Sequence, residues 1–327
     1  MIKKLIKNDR DLWWEIARAD KHATFFQTPA WLEVGQCMSP KYTDATIMGE
    51  LDSGVKFVLP ITSYSRTWPF KRLYSVYDQS YGGLIANGPV TPAEHHAILH
   101  HIPLSPFSSF DLTETPGTIY NNPLRIFETI SYSSSQVQIN GRSFEELFAK
   151  FSKSRRRNYR IARKNGVTLR RANPNYWTDE FNKFYELYLE THDKRWGENA
   201  GGDFLTISFL RNLELVAKKY PKNFFMWFAE LDGHPISTYT AWAWNGRLDG
   251  WFMASKPKFF NIKAAVFVQT EVIRFAADNS FRLFDLGPNV GDETLIEFKR
   301  RFGAEEVGYK LWHRPSPILK MIDRLRG

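Results

Sequence analysis

A chain of 327 residues with 43% hydrophobic and 16% aromatic side chains, including 26 Phe and 11 Trp, is too apolar for a disordered protein and long enough for two domains with separate cores. A single cysteine, Cys37, excludes an intrachain disulfide and a cysteine-rich metal site and suits a reducing compartment. The net charge of +9 sits in one stretch: Lys153, Arg155, Arg156, Arg157, Arg160, Arg163, Lys164, Arg170 and Arg171 have no acid among them, and the other 35 Lys and Arg match the 35 Asp and Glu.

In chain order, residues 1–6 read as an edge strand and 11–19 as a helix with Leu12, Ile16 and Ala19 on one side. Thr28 and Pro29 form an N-cap and first turn for a short helix through Val34. Strands are expected at 43–50 and 55–62 about an Asp52-Ser53-Gly54 turn, with extended chain at 73–77 leading into DQSYGG, 78–83. A helix follows at 91–102, then strands at 107–112 and 132–139, and the Asn140-Gly141 turn marks a domain boundary. Ser143 and Glu146 form a capping box that opens one long helix ending at Asn165-Gly166, with Phe144, Leu147, Phe148 and Phe151 on its buried face. Beyond it come a strand (167–171), helices (179–192 and 206–219) and strands (224–231, 235–244 and 247–255) joined by Asp232-Gly233 and Asn245-Gly246 turns. A helix (263–278), a strand (281–286), a helix to Phe302, a strand (306–313) and a short basic helix complete the chain. The expected domains are 1–140 and 141–315, with 316–327 as the terminal helix; the order in the first is a blurred copy of that in the second.

The basic stripe attracts phosphates, whether of a tRNA backbone, a nucleotide-sugar or lipid diphosphate, coenzyme A or an anionic membrane surface; a solvated helix face is the plainer explanation. No stretch approaches the roughly 20 apolar residues of a membrane span. The opening MIKKLIKNDRD is broken by charge too early for a secretory signal, so a cytoplasmic protein is expected, with room for peripheral contact at the inner face of the membrane. His95, His96, His100 and His101 share one helix, but a closed metal site needs more ligands than one face offers, and none is expected. Asp285 serves either as a general base or as an acceptor for the amides of the following Gly/Pro loop. Tyr239, Trp242, Trp244, Trp251 and Phe252 either line a pocket for a sugar or acyl chain or form hairpin core.

The pattern D-L-G-P at 285–288, then E-F-K-R-R-F-G-A at 297–304, resembles the signature of the Fem-type peptidyltransferases and the related CelD-like acetyltransferases, both built on the GNAT fold. The basic run KSRRRNYRIARKNGV, 153–167, resembles the helix that opens their second domain, and FQTPAW, 26–31, their N-terminal motif. The resemblance implies an α/β fold of two tandem GNAT-like domains, each a mixed, mostly antiparallel sheet flanked by helices. It also implies a role in acyl transfer for Lys299 of the F-K-x-x-F motif, as a cation facing the oxyanion, although a solvated lysine between Phe298 and Phe302 reads as well. In such folds the end of the second domain's first long helix borders the acceptor site, which brings in His192 and Arg195; a helix-terminal cation explains the same residues.

Coenzyme A-dependent GNAT enzymes bind pyrophosphate on a glycine-containing turn after the three-stranded unit. Here KPKFFNIKAA, 256–265, has no glycine, which weakens a coenzyme A donor and leaves room for aminoacyl-tRNA. The candidate catalytic residues are therefore Lys299, Asp285 and Tyr239, and the substrate-binding candidates are Arg195, His192, Trp251, Phe298 and Tyr81. Lys256, Lys258, Lys263, Arg156 and Arg160 are the donor-binding candidates. The expected activity moves an acyl group from acyl-CoA to an amine or hydroxyl of a cell-envelope or polysaccharide precursor, without a metal. The alternatives are aminoacyl-tRNA-dependent peptidyl transfer and a non-catalytic RNA- or anionic-surface-binding module.

Overall fold

The computed structural model describes residues 1–327 except 8, 40, 77–79, 119–125, 197–206 and 327, and the side chains of those described except 37, 38, 66, 192–196, 207 and 323–326. Cα proximity divides the chain into two units, Met1–Ser133 with Gly308–Gly327, and Ser134–Val307.

In the first unit β1 (Ile2–Ile6), α1 (Arg10–Ala19), α2 (Pro29–Met38), β2 (Tyr42–Asp44), β3 (Ile47–Leu51), β4 (Lys56–Leu59), β5 (Thr62–Thr67), β6 (Phe70–Tyr74), β7 (Ile85–Ala86), α3 (Pro92–Leu99) and β8 (Ser108–Thr113) follow in order. Asp9 caps α1 through its side chain, which accepts from the amides of Asp11 and Leu12, and the helix buries Trp13, Ile16 and Ala17 at helical spacing. The strands run β1-β3-β4-β7 in one sheet and β8-β6-β5-β2 in the other. The two long strands expected at 43–50 and 55–62 are each divided between these sheets. The Ala45 amide donates to the Ile61 carbonyl, and the Ile61 amide to Thr46 Oγ1, where the chain crosses over. FQTPAW is scaffold here: Gln27 Nε2 donates to the carbonyls of Gly82 (3.0 Å) and Gly83 (3.2 Å), and the Trp13 indole donates to the Gln27 carbonyl.

The second unit takes β9 (Glu128–Gln138) from Ser134 onward, then α4 (Phe144–Lys150), α5 (Lys153–Lys164), β10 (Thr168–Arg171), α6 (Trp177–Trp196), α7 (Ile207–Lys219), β11 (Phe224–Leu231), β12 (His234–Trp244), β13 (Arg247–Ser255), α8 (Ala264–Asp278), β14 (Leu283–Pro288) and α9 (Glu293–Arg300). Asp232-Gly233 and Asn245-Gly246 have positive φ at both positions, the geometry of tight hairpins whose twist matches the strands they join. The sheet order is β10-β11-β12-β13-β14-β9, antiparallel throughout except for the parallel β13/β14 pair. Helix α8 packs on the sheet and buries Phe267, Val268, Val272 and Ile273. Each such side chain contributes about 1.5–3 kcal/mol of burial.

β15 (Glu305–Arg314) pairs antiparallel with β8 through Leu311↔Thr113 to Arg314↔Phe110, so the strand expected to close the second domain lies mostly in the first unit. α10 (Pro317–Arg326) ends the chain. The single helix expected from Ser143 to Asn165 is two. Phe151 turns extended (ψ 145°), the Ser152 amide donates to the Arg301 carbonyl, and Ser152 Oγ caps α5 by accepting from the Arg155 amide. No Gly or Pro marks this break; a hydrogen bond from elsewhere in the chain makes it.

Among the described residues no helix is long and apolar enough to cross a membrane, and no group of three or more His, Cys, Asp or Glu is placed to hold a metal ion. Burial lowers the His95 pKa to about 4, and the rings of His96 and His100 meet edge-on at 4.7 Å. Ser152→Ala should cost about 1 kcal/mol in denaturant unfolding through loss of the α5 cap; an unchanged midpoint would mean that the cap does not hold the break.

Candidate active site

β13 and β14 pair at Arg247↔Leu283, Leu248↔Phe284 and Asp249↔Asp285 and no further, although both strands continue. On its other side β13 bulges: Thr240 faces Phe252 and Ala241 faces Gly250, which leaves Trp251 as the extra residue. Where the strands part, a cleft of about 250 Å³ opens, lined by Tyr239, Gly250, Trp251, Phe252, Met253, Gln269, Leu286, Gly287, Pro288, Leu295, Phe298 and Lys299. It brings together four residues expected from sequence: Tyr239, Trp251, Phe298 and Lys299. A Cβ on Gly250 would stand 2.1 Å from the Tyr239 hydroxyl, so this position has to be glycine for the tyrosine to keep its place. Tyr239 is 4% exposed, its hydroxyl has no hydrogen-bond partner among the described residues, and burial pushes its pKa up, so it keeps its proton.

Asp285 lies behind the cleft, 1% exposed. Its Oδ1 accepts from the Gly287 amide (2.7 Å), and its Oδ2 accepts from Gln136 Nε2 (2.9 Å) and Ser134 Oγ (3.2 Å). The Arg247 guanidinium, 2% exposed, stands 3.5 Å from Asp285 Oδ2 and 2.7 Å from Asp249 Oδ1. Burial raises the Asp285 pKa, the Asp249 charge adds to the rise, and Arg247 opposes it. Through the Gly287 amide Asp285 is tied to the start of the following loop.

Lys299 is not solvated. It is 5% exposed, and its Nζ donates to the carbonyls of Gly287 (2.7 Å) and Pro288 (2.8 Å) and to Asn289 Oδ1 (3.2 Å). All three ammonium protons are thus committed to the 287–289 loop. Burial lowers its pKa to about 8, against the opposing pull of Asp285.

Next to this cleft, with Phe298 lining both, lies a second cavity of about 210 Å³ whose wall includes Arg155, Asn158, Ser255, Lys256, Lys263 and the first residues of α8. Lys263 takes a left-handed backbone (φ 66°), and no side chain caps the α8 N-terminus that it precedes. Residue 263 thus adopts, without being glycine, a backbone conformation that glycine usually fills. Uncapped first-turn amides, the positive end of the helix dipole and Lys263 form a cradle of the kind that suits an anion, while Lys256 Nζ is already paired with Glu190 Oε1 (2.9 Å). Arg155 is 7% exposed, donates to the Phe298 carbonyl (3.1 Å) and covers the Phe298 ring at 4.1 Å; burial lowers its pKa to about 10.

The other expected residues fall elsewhere. Arg156 and Arg160 line a different cleft, with Phe144, Phe148, Tyr159, Arg163 and Arg274. The helical turn separates them from Arg155, so they do not join Lys256 and Lys263. Lys258 lies 4.9 Å over the Phe259 ring. The stripe is not uniformly available: Arg170 is bound to Glu180 and Glu230. Tyr81 belongs to the core of the first unit, edge-on to Phe26 and Tyr309, and part of its loop, 78–79, lies outside the described residues. The side chains of His192 and Arg195 also lie outside the described residues. Gln269 was not expected. Its signal is a carboxamide inside the apolar helical run AAVFVQTEVIRFAA.

Residues 149–300 match the model of the acetyltransferase (GNAT) domain. No curated protein matches the sequence. Among solved structures the chain is similar to FemX, at 12% identity and a TM-score of 0.71 over 98% of this chain and 99% of that one. It is similar to L-PGS from Bacillus licheniformis at 13% identity and a TM-score of 0.58, over 96% and 95%. A tandem GNAT protein from the clavulanic acid biosynthesis pathway gives 11% identity and a TM-score of 0.52, over 84% and 83%. At these identities the likeness is one of fold. The chain shares its fold with FemX and with the tandem GNAT protein, and its residues 149–300 match the acetyltransferase (GNAT) domain.

Proposed function

We propose that the cleft between β13 and β14 transfers an acyl group from a phosphate-bearing donor to an amine or hydroxyl of an envelope or polysaccharide precursor. The observation that carries this reading is the juncture at Phe298, where the cradle at the α8 N-terminus adjoins a cleft that holds the Tyr239 hydroxyl. Acyl-CoA suits the cradle: its pyrophosphate would meet the α8 amides with Lys263, Lys256 joining only by exchanging its Glu190 partner, and its acyl end would reach the cleft past Phe298. The acceptor nitrogen attacks the carbonyl carbon, a C–N bond forms, and the bond to the donor's sulfur breaks. The leaving sulfur takes the Tyr239 proton, and the proton lost by the amine returns to the tyrosine through solvent. Asp285 and Lys299 position the 285–289 loop that forms one wall; Lys299 acts through the carbonyls it holds and through its charge. Trp251 and Phe298 supply apolar walls.

Aminoacyl-tRNA is a second reading of the donor, favoured by the likeness to FemX along nearly the whole chain. Parallel assays of acyl transfer from acetyl-CoA and from charged tRNA to a panel of amines test both. Product from neither, under conditions that retain the fold, would remove the transferase reading and favour a binding module.

Tyr239→Phe should lower kcat about 10²-fold or more with donor affinity kept, as expected for loss of a proton donor; unchanged kcat would exclude it from that role. Lys299→Met leaves three loop acceptors without their donor and should cut kcat/KM while also lowering the unfolding midpoint. The Lys299 charge is lost as pH rises through about 8. Wild-type kcat/KM should therefore fall on an alkaline limb near that value, and Lys299→Arg should carry the limb upward; a limb unmoved by Lys299→Arg would assign it to another group.

A further inference from the structure

The mechanism leaves one polar group of the cleft without work. Gln269 is 2% exposed, lies on α8 and lines the cleft together with Tyr239, Trp251 and Phe298. Its Oε1 is buried and has no hydrogen-bond partner among the described residues. The next residue, Thr270, satisfies its hydroxyl on the Val266 carbonyl, so the helix itself can quiet a polar side chain and does not do so at Gln269. A buried carbonyl oxygen left unpaired lowers stability, and a leucine or methionine would fit the surrounding apolar helix face without that cost. Of the other polar side chains lining the cleft, Lys299 spends its three protons on the 287–289 loop, and Tyr239 is the proton donor of the proposed reaction.

We infer that Gln269 is a specificity-determining residue, whose carboxamide turns so that its Oε1 accepts a hydrogen bond from an N–H or O–H of a ligand in the cleft. The inference rests on the acyl-transfer reading of the cleft and adds to it the kind of substrate. A cleft with this acceptor favours a ligand that brings a hydrogen-bond donor over an isostere that brings a methyl group. An apolar pocket separates such a pair weakly, whereas a buried acceptor penalises the partner that leaves it unpaired. The donor belongs either to the transferred acyl group or to the acceptor nucleophile.

The test has three measurements on the full chain, wild type and Gln269→Met. Thermal unfolding without ligand comes first: Gln269→Met should raise the midpoint by about 2–4 °C, since it removes an unpaired buried group. A lowered midpoint would show that the fold already satisfies Gln269 and would overturn the inference. Calorimetric titration with glycyl-CoA and its isostere propionyl-CoA comes second; if the acyl group carries the donor, wild type should prefer glycyl-CoA about 10-fold and Gln269→Met should lose that preference. Third, glycinamide titrated into the propionyl-CoA complex reads the acceptor side, where Gln269→Met should weaken binding about 10-fold if the nucleophile carries the donor. Substitution effects absent from both titrations overturn the inference. If wild type binds neither coenzyme A ester, the donor reading fails instead, and the unfolding comparison alone decides for or against Gln269.

Discussion

Asp285 is a carboxylate almost wholly removed from water, and such a group persists in a fold only when its charge and lone pairs are met from several sides. Here they are met by β9 through Ser134 and Gln136, by β13 through Arg247, and by the chain itself through the Gly287 amide. The last pair of β13 and β14, Asp249↔Asp285, coincides with this cluster, and the strands part immediately beyond it. Ladder pairing gives way to a side-chain clamp at one level of the sheet. The cleft and the loop gripped by Lys299 begin at that level, with the bulge at Trp251 two residues beyond Asp249.

The same logic ties α9 to the sheet. Lys299 reaches from α9 to the carbonyls at the end of β14, and Arg155 of α5 reaches the Phe298 carbonyl and covers the Phe298 ring. Two cations that look like surface charge in the sequence are thus buried struts. Burial lowers the pKa of both; three hydrogen bonds offset this at Lys299, and at Arg155 one hydrogen bond and the Phe298 ring do so, with Nε left unpartnered among the described residues.

Much of this fold is legible in sequence because the signals are local. The Asn-Gly and Asp-Gly turns, the capping box at Ser143, and the apolar periodicity of α8 depend on neighbours within a few residues. What escapes is set from far along the chain. The α4/α5 break needs the Arg301 carbonyl, the division of 43–50 between two sheets needs Ile61, and β15 finds its partner in β8. The candidate site divides in the same way. Tyr239, Trp251, Phe298 and Lys299 announced themselves through strand alternation and the F-K-x-x-F spacing. Lys263 was expected for its charge but not for its backbone, because no motif marks a non-glycine residue in a left-handed turn, and Gln269 was not expected, because a lone polar residue in an apolar helix is ordinary until its lack of a partner is seen.

The central claim is that one continuous path, from the α8 N-terminus past Phe298 to the parted strands, holds donor and acyl group. Hydrogen–deuterium exchange read by mass spectrometry, with acetyl-CoA and charged tRNA added separately, tests it directly. The account predicts that the productive donor slows exchange in two segments together, 255–267 and 286–299, which carry the cradle and the loop gripped by Lys299. Protection confined to the outer face of α5, or to the first unit, with both segments unchanged, would contradict it.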